Sequence, residues 1–269
     1  MGCHDDRQPR RQPGRLVERI QVLVPVHVSR VQGETVRREA QAGAGLLDPS
    51  RVGGRARVEP RGQVRMTAPV LFGQMHVAPA VSAFLQRFKQ VQVELLLLDR
   101  VVNLVEEGID LGIRIAHLAD SSMIALPVMH VRRVVCASPA LLHRVGKPKH
   151  PRQLSDRPCV RFSGINPGEN WVFADQGREI SVRIRGSFAC NQAATAAQAC
   201  ADGLGFGMFL SYQIAPLVGD KRLQIVLPDF ELPPLPVSLV YPESRLVSTR
   251  IRVLIDWLKQ ELDPRAEYP

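Results

Sequence analysis

The spacing Gly203-x-Gly205-x-Gly207 is the part of the chain that most resembles a phosphate-binding loop. A dinucleotide-binding loop needs a strand, then the glycines, then a helix whose first backbone N–H groups hold the phosphates. Here the glycines follow a helix-like segment and precede the short apolar run Phe206–Leu210, so the order is reversed. We therefore expect them to end a helix and to allow close packing, not to bind a nucleotide.

Paired carboxylates and histidines give no catalytic set either. Glu106, Glu107 and Asp110 are close together, but they lie at a helix end and a turn, where we expect them to face solvent. The 7 histidines show no metal-ligand spacing. The chain has no Gly-x-Ser-x-Gly, Walker or His-Glu-x-x-His motif. We expect a protein that is not an enzyme and that carries no cofactor or metal.

The 5 cysteines include no Cys-x-x-Cys pair, and four of them have apolar neighbours. This pattern favours buried free thiols over a metal site or a disulfide framework. They are Cys3, Cys136, Cys159, Cys190 and Cys200.

Composition and length place the chain among soluble globular proteins. Its 269 residues are 45% hydrophobic and 23% charged, and they suffice for two compact lobes. The apolar runs are too short to span a bilayer, and Met1–Pro13 lack the apolar region of a secretory signal. These features predict a cytoplasmic protein that does not associate with membranes.

Residues 1–61 differ from the rest of the chain. They contain 12 arginines, no lysine, 7 acidic residues and no aromatic residue other than histidine, and they supply +5 of the net charge of +9. Glycines and prolines interrupt every helical or strand-like pattern after Gly43. A helix-turn-helix needs three amphipathic helices with large apolar residues, which this segment does not supply. Two interpretations stay open: an irregular, disordered basic arm, or a segment translated from a wrong frame or start in a GC-rich gene.

From Gly62 onward the pattern predicts an α/β protein with two Rossmann-like lobes. A strand that starts at Gly62, a helix over Val77–Phe88 and a strand over Val91–Leu98 make one βαβ unit of a parallel sheet. Residues 62–137 and 237–262 form the first lobe, residues 138–236 the second, and residues 263–269 a tail. The cleft between the lobes faces the carboxyl ends of the strands, where α/β folds bind small molecules.

Local signals fix several further elements. Ser138 and Pro139 open a helix that Gly146 closes, and Asn191 caps a helix that ends at Gly203. Asp99 is expected to cap a short helix over Val101–Glu107. The strands that contain Val134–Ala137 and Val237–Val240 cross between the lobes as the hinge. An amphipathic helix ends the chain, with one apolar face made of Ile251, Leu254, Ile255 and Leu258.

Several blocks, in order and over about 200 residues, resemble the effector-binding domain of LysR-type transcriptional regulators, in the branch whose first loop reads Thr-Ala-Pro. The blocks are Thr67-Ala68-Pro69 with Phe72-Gly73, Asp99–Asp110, Val135–Pro139, Asp202–Gly207, and Leu235-Pro236-Val237 with Tyr241-Pro242. The resemblance implies the two-lobed fold of type 2 periplasmic binding proteins. The winged helix-turn-helix and the linker helix that it leads us to expect before Gly62 are not recognisable in the sequence.

The resemblance also implies an effector site in the cleft between the lobes. Thr67 and Ala68 end the first strand, where a helix start can receive an anion, and Arg100 can bind a carboxylate bidentately. His117 follows the third strand at the same edge. In the second lobe the implied residues are Ser163 after a strand and Asn191 and Gln192 at a helix start. Phe209 either lines an apolar wall of the cleft or packs in the core.

The partners that the resemblance implies are a small effector, of the carboxylate or aromatic-metabolite class typical of the family, and further copies of the chain. By resemblance the domain pairs through the region Val77–Leu98 into a homodimer or tetramer. DNA is a partner only if an intact helix-turn-helix exists. The alternatives are a stand-alone small-molecule receptor of the solute-binding fold and a small bilobal enzyme.

Overall fold

Two five-stranded sheets, each bordered by helices, form the scaffold that positions the site. The computed structural model describes residues 59–117, 123–166, 168–243, 245 and 248–262. All of them belong to one compact unit that spans Leu46–Pro269. The predictions for residues 1–58, including Cys3, and for the tail 263–269 lie outside the described residues.

The elements follow one another with short connections. In chain order the strands are β1 (Gly62–Ala68), β2 (Val91–Leu97), β3 (Leu111–Ile115), β4 (Met123–Val131), β5 (Arg133–Ala137), β6 (Pro158–Phe162), β7 (Asn170–Asp175), β8 (Arg178–Arg183), β9 (Arg185–Cys190), β10 (Phe206–Leu210), β11 (Gln224–Val226) and β12 (Leu235–Pro242). The helices are α1 (Val70–Phe72), α2 (Ala78–Arg87), α3 (Pro139–Val145), α4 (Ala193–Ala201), α5 (Ser211–Gly219) and α6 (Thr249–Glu261).

The first lobe is built on the sheet with strand order β2-β1-β3-β12-β4. β1 pairs in parallel with β2 and β3, which confirms the predicted βαβ unit. The helix between β1 and β2 starts at Val70, earlier than predicted, and reaches α2 through the π-helical turn Gly73–Val77. A π-helical turn inside a helix often marks a functional site. α6 buries the predicted face of Ile251, Leu254, Ile255 and Leu258.

The second lobe is built on the sheet with strand order β11-β5-β10-β6-β9, and β7 and β8 form a separate hairpin. The predicted cap of α3 is confirmed, because Ser138 Oγ accepts a hydrogen bond from the Leu141 backbone N–H at 3.2 Å. Gly146 ends α3 with φ +78°. The glycine run acts as expected: Gly203 has φ +85°, and a Cβ on Gly205 would lie 2.7 Å from the Pro158 carbonyl oxygen.

The structure changes three details of the sequence prediction. Arg133–Ala137, predicted in the first lobe, pairs with β10 and β11 and so lies in the second sheet. The chain therefore crosses between the sheets at Arg132 and again before Leu235, outside the strands predicted as the hinge. Residues 104–108 form a turn and not the predicted helix. The patterns of β4 and α5 were not recognised in the sequence at all.

The four cysteines in the described ranges are free, and Cys136, Cys159 and Cys200 are buried. Burial raises the pKa of the Cys159 thiol to about 12 and that of Cys136 well above its usual value. These thiols are therefore protonated and unreactive at neutral pH. The described residues contain no cluster with the composition of a metal site. They also contain no helix long and apolar enough to cross a membrane.

Candidate functional site

Leu71 and Ile165 follow the carboxyl ends of the parallel strands β1 and β6, and both pack against the same two apolar clusters. Leu71 is the second residue of α1, and Ile165 lies in the turn after β6. Both side chains are half-buried, and one of the two clusters joins the first-lobe core to Leu210 and Tyr212 of the second lobe, while the other lies within the second lobe. The edge of the first sheet, at the ends of β1, β2 and β3, therefore faces the turn after β6. This junction is the candidate ligand cleft.

Thr67 and Ala68 lie at this junction but are almost fully buried, with exposed fractions of 1% each. The Val70 backbone N–H, which follows Pro69, donates to Asp99 Oδ1 at 2.9 Å. The expectation that Asp99 caps a helix over Val101–Glu107 is therefore wrong. A carboxylate of the chain itself already holds the first N–H group of α1, so this helix start does not offer that group to an anion as expected.

Arg100 lies at the predicted edge, but its guanidinium is engaged. Nη1 and Nη2 donate to the two carboxylate oxygens of Glu107, at 3.0 Å and 3.3 Å. The pair is largely exposed, so it contributes little to stability and can be exchanged for a ligand at small cost. The Arg100 guanidinium can therefore bind a ligand only if that ligand displaces Glu107.

The polar candidates of the second lobe lie at strand ends, as predicted. Ser163 is half-buried, and its Oγ and backbone N–H both donate to the Cys190 carbonyl oxygen, at 3.3 Å and 2.9 Å. This bond joins the ends of β6 and β9. Asn191 and Gln192 are exposed directly after β9. The residue at the N-cap position of α4 is Gln192, so the predicted cap by Asn191 is wrong.

His117 is exposed after β3, at the border of the described range. Phe209, considered for an apolar wall of the cleft or for the core, has an exposed fraction of 0%. Its ring stacks on that of Phe162, with centroids 5.8 Å apart and planes inclined by 18°. Of the two roles considered for Phe209, the structure favours packing in the core, because the side chain lies within an apolar cluster of the second lobe.

Sequence reasoning missed the two residues at the junction and a half-buried arginine of the first lobe. Leu71 and Ile165 look like ordinary core residues in the sequence, and only the folded chain shows that they pack against the same two clusters. Arg114, on β3, is half-buried and its Nη2 donates to the Val102 carbonyl oxygen at 2.7 Å. Burial lowers its pKa, and the charge of Glu107 opposes that effect. An arginine within an apolar strand was the available signal.

Behind the junction, three rings connect the lobes. Phe72 of α1 and His76 of the π-helical turn have centroids 4.8 Å apart, and Phe72 meets Tyr212 of α5 edge to face at 5.2 Å. His76 also lies 6.0 Å from the Tyr212 ring. Burial lowers the pKa of His76 below 6.5. The neutral form of the His76 imidazole is therefore the one that packs against Phe72 and Tyr212.

We expect the protonation of His76 to lower the free energy of unfolding in weak acid. Because its pKa is lower in the folded chain than in the unfolded chain, the unfolded state binds the proton first, and stability is lost as the pH falls below about 6.5. Urea unfolding at pH 7.5, 6.5 and 5.5 should show a smaller loss for His76→Asn than for the unsubstituted chain. His143→Asn, an exposed residue on α3, is the control. The same loss in His76→Asn as in the unsubstituted chain would contradict this role.

A family model described as LysR substrate binding domain matches residues 57–263. The HTH-type transcriptional regulator PtxR of Pseudomonas aeruginosa is 29% identical over 204 residues, which are 76% of this chain and 65% of that protein. DmlR of Escherichia coli, also named an HTH-type transcriptional regulator, is 29% identical over 202 residues, 75% of this chain and 66% of its own length. The chain thus spans about two thirds of the length of these relatives.

Solved structures show the same fold. CrgA of Neisseria meningitidis, described as a LysR-type transcriptional regulator, aligns with a TM-score of 0.67 and 23% identity, over 76% of this chain and 69% of CrgA. The full-length virulence activator AphB of Vibrio cholerae aligns with a TM-score of 0.67 and 23% identity, over 75% of this chain and 69% of AphB. The two-lobed fold predicted from the sequence is confirmed.

Proposed function

The chain belongs to the LysR substrate-binding domain family, and we propose that it binds a small effector between its lobes and thereby regulates transcription. The observation that carries the proposal is the junction at Leu71 and Ile165, where residues that follow strand ends of the two sheets pack against the same two apolar clusters. A ligand at that point contacts both lobes at once. Its affinity therefore depends on how closely the lobes approach, which is the requirement for a conformational signal.

The effector proposed for this cleft has an apolar body and polar groups at one end. Leu71 and Ile165 supply apolar contacts, while Ser163, Asn191 and Gln192 supply hydroxyl and amide groups at the strand ends. A carboxylate end is favoured where Arg100 can leave Glu107. Aromatic and small aliphatic acids are therefore the first class of compound to test.

We further propose the following organisation for the whole regulator. The ranges 62–131 and 235–262 form the first lobe and 133–230 the second, and residues 1–61 stand where its relatives carry their DNA-binding part. Sequence-specific DNA binding then requires a helix-turn-helix that the amino-acid sequence of residues 1–61 does not contain and that another reading frame of the gene would encode. Pairing of two first lobes through Val77–Leu98 gives a dimer, and the protein acts in the cytoplasm.

The effector proposal is tested by a thermal-shift screen of the full chain against aromatic and small aliphatic acids, followed by calorimetry on the best compound. Ile165→Trp fills the junction and should weaken binding about tenfold or more, which is at least 1.4 kcal/mol. Ile225→Trp is the matched control, because Ile225 is also half-buried but lies on β11 at the opposite edge of the second sheet. Equal affinities in the two variants would contradict a site at the junction.

The organisation of residues 1–61 has its own test. Sequencing of the source DNA across and upstream of the codon for Gly62, read in all frames, should show a helix-turn-helix and a linker helix in another frame. A single confirmed frame, together with sequence-specific binding of DNA by the full chain, would contradict the proposal of a misread segment. Binding that is sensitive to salt but blind to sequence would identify a basic arm instead.

A further inference from the structure

In the described part of the chain, two connections join the lobes, and they lie side by side. The first is Arg132 alone, between β4 and β5. The second is residues 231–234, between the 3₁₀ turn Pro228–Phe230 and β12. Val131, which ends β4, pairs with Leu235, which begins β12. A change in the angle between the lobes therefore has to occur within these few residues.

The second connection has little backbone freedom. Its last two residues are Pro233 and Pro234, whose rings fix φ and which have no backbone N–H. Leu232 precedes a proline, so steric contact with the proline ring restricts its backbone to extended conformations. Glu231 is therefore the residue of this connection that keeps the most backbone freedom.

The first connection is fixed to the second lobe. The Arg132 carbonyl oxygen accepts a hydrogen bond from the Ser211 backbone N–H at 2.8 Å, and the Arg132 backbone N–H donates to Ser211 Oγ at 3.3 Å. Ser211 begins α5 and has an exposed fraction of 1%. Arg132 therefore follows the second lobe when the lobes move.

An ion pair joins the two connections. Arg132 Nη1 donates to both carboxylate oxygens of Glu231, at 3.3 Å and 3.2 Å. The Glu231 side chain is 14% exposed, so water competes weakly for its oxygens. Burial raises the pKa of Glu231, and the charge and the hydrogen bond of Arg132 lower it. The pair thus ties the freest residue of the second connection to a residue that follows the second lobe.

We propose that the Arg132–Glu231 pair is a latch that restrains the angle between the lobes. While the pair is formed, both connections are held at the second lobe, and rotation is confined to residues 232–234, whose backbone is restricted. Without the pair, Glu231 rotates freely and the lobes sample a wider range of angles. The inference rests on the proposed function, because an effector that changes the lobe angle has to act against this latch.

The test measures lobe motion in the full chain without any effector. Spin labels are placed at Lys259→Cys on α6 and Ser181→Cys on β8, two exposed positions in different lobes. Cys3→Ser and Cys190→Ser leave only the three buried native thiols. An excess of unlabelled chain suppresses distances between copies. Double electron–electron resonance then gives the distribution of distances between the two lobes.

Glu231→Gln and Arg132→Met should each broaden this distance distribution. Deuterium exchange of the Ser211 amide, which donates to Arg132, should become about tenfold faster in both variants, because a hydrogen bond between charged groups is lost at the hinge. Glu169→Gln is the matched control, because Glu169 also pairs with arginines but both of them lie in its own lobe. The control should change neither the distance distribution nor the exchange of Ser211.

Two further variants keep the result decisive. The double variant Arg132→Met with Glu231→Gln should broaden the distribution no more than the wider of the single variants, since both substitutions remove the same contact. Arg132→Lys keeps the cation and should stay closer to the unsubstituted chain than Arg132→Met. An unchanged distribution in both single variants, equal broadening in Glu169→Gln, or additive broadening in the double variant would overturn the proposal. Failure of every compound in the effector screen would count against the proposed function alone, because lobe motion is measured without a ligand.

Discussion

Phe209→Ala is expected to lower the free energy of unfolding by about 3–5 kcal/mol, the usual cost of removing a buried phenyl ring. Phe209 is completely buried and stacks on Phe162, so alanine leaves a cavity between two strands and the helices above them. Urea unfolding followed by the fluorescence of Trp171, which is buried in the same lobe, measures the loss.

Phe209→Leu distinguishes a core role from a ligand role. Leucine fills most of the space, so we expect a clearly smaller loss of stability and an unchanged affinity for the compound found in the screen. If Phe209→Ala were as stable as the unsubstituted chain but failed to bind that compound, the ring would belong to the cleft and its assignment to the core would be wrong.

Asp110→Ala should cost about 2–3 kcal/mol, since it removes one buried acceptor that serves two donors. Asp110 is 6% exposed. Its Oδ2 accepts from the Arg65 backbone N–H at 2.9 Å, and its Oδ1 pairs with Arg245 Nη1 at 3.3 Å. Alanine leaves the Arg65 N–H without this partner inside the first lobe. Thermal and urea unfolding measure the loss.

Asp110→Asn is the conservative variant, because an amide oxygen can still accept from the Arg65 N–H while the charge toward Arg245 is lost. We expect it to retain more than half of the stability lost in Asp110→Ala. Glu106→Ala, at an exposed neighbouring carboxylate, should have little effect. Equal losses in Asp110→Asn and Asp110→Ala would show that the charge, and not the backbone hydrogen bond, carries the effect.

The sequence alone predicted the elements whose capping residues and apolar spacing match the structure that they form in the folded chain. The α3 cap at Ser138 and the buried face of α6 depend on neighbours along the chain, and both occur as predicted. Strand β3 also occurs, but its burial does not alternate as its sequence does. Helix α5 was missed because Pro216 interrupts its pattern. Strand β4 was missed because Pro127 lies within it, although its pairing with β12 tolerates the proline.

The site was predicted less well, because its geometry depends on distant partners. The expectation that Asp110 faces solvent was wrong, since contacts with Arg65 and Arg245 lie 45 and 135 positions away in the sequence. The pairing of Arg100 with Glu107 and of Asp99 with the α1 start also required the folded chain. Ser163 lies after a strand, as predicted, whereas the packing of Leu71 and Ile165 on two clusters became visible only in the folded chain.

Hydrogen–deuterium exchange of the full chain, with and without the best compound of the screen, tests the central claim most directly. A ligand between the lobes should slow exchange at Val70–Phe72, at the turn Ser163–Ile165 and at Gln192, with smaller effects at the crossings beside Arg132. Val70–Phe72 belongs to the first lobe, whereas Ser163–Ile165 and Gln192 belong to the second. Slowed exchange in all three segments together is the result we predict. Protection confined to one lobe, or spread evenly over both without these segments, would contradict an effector site between the lobes.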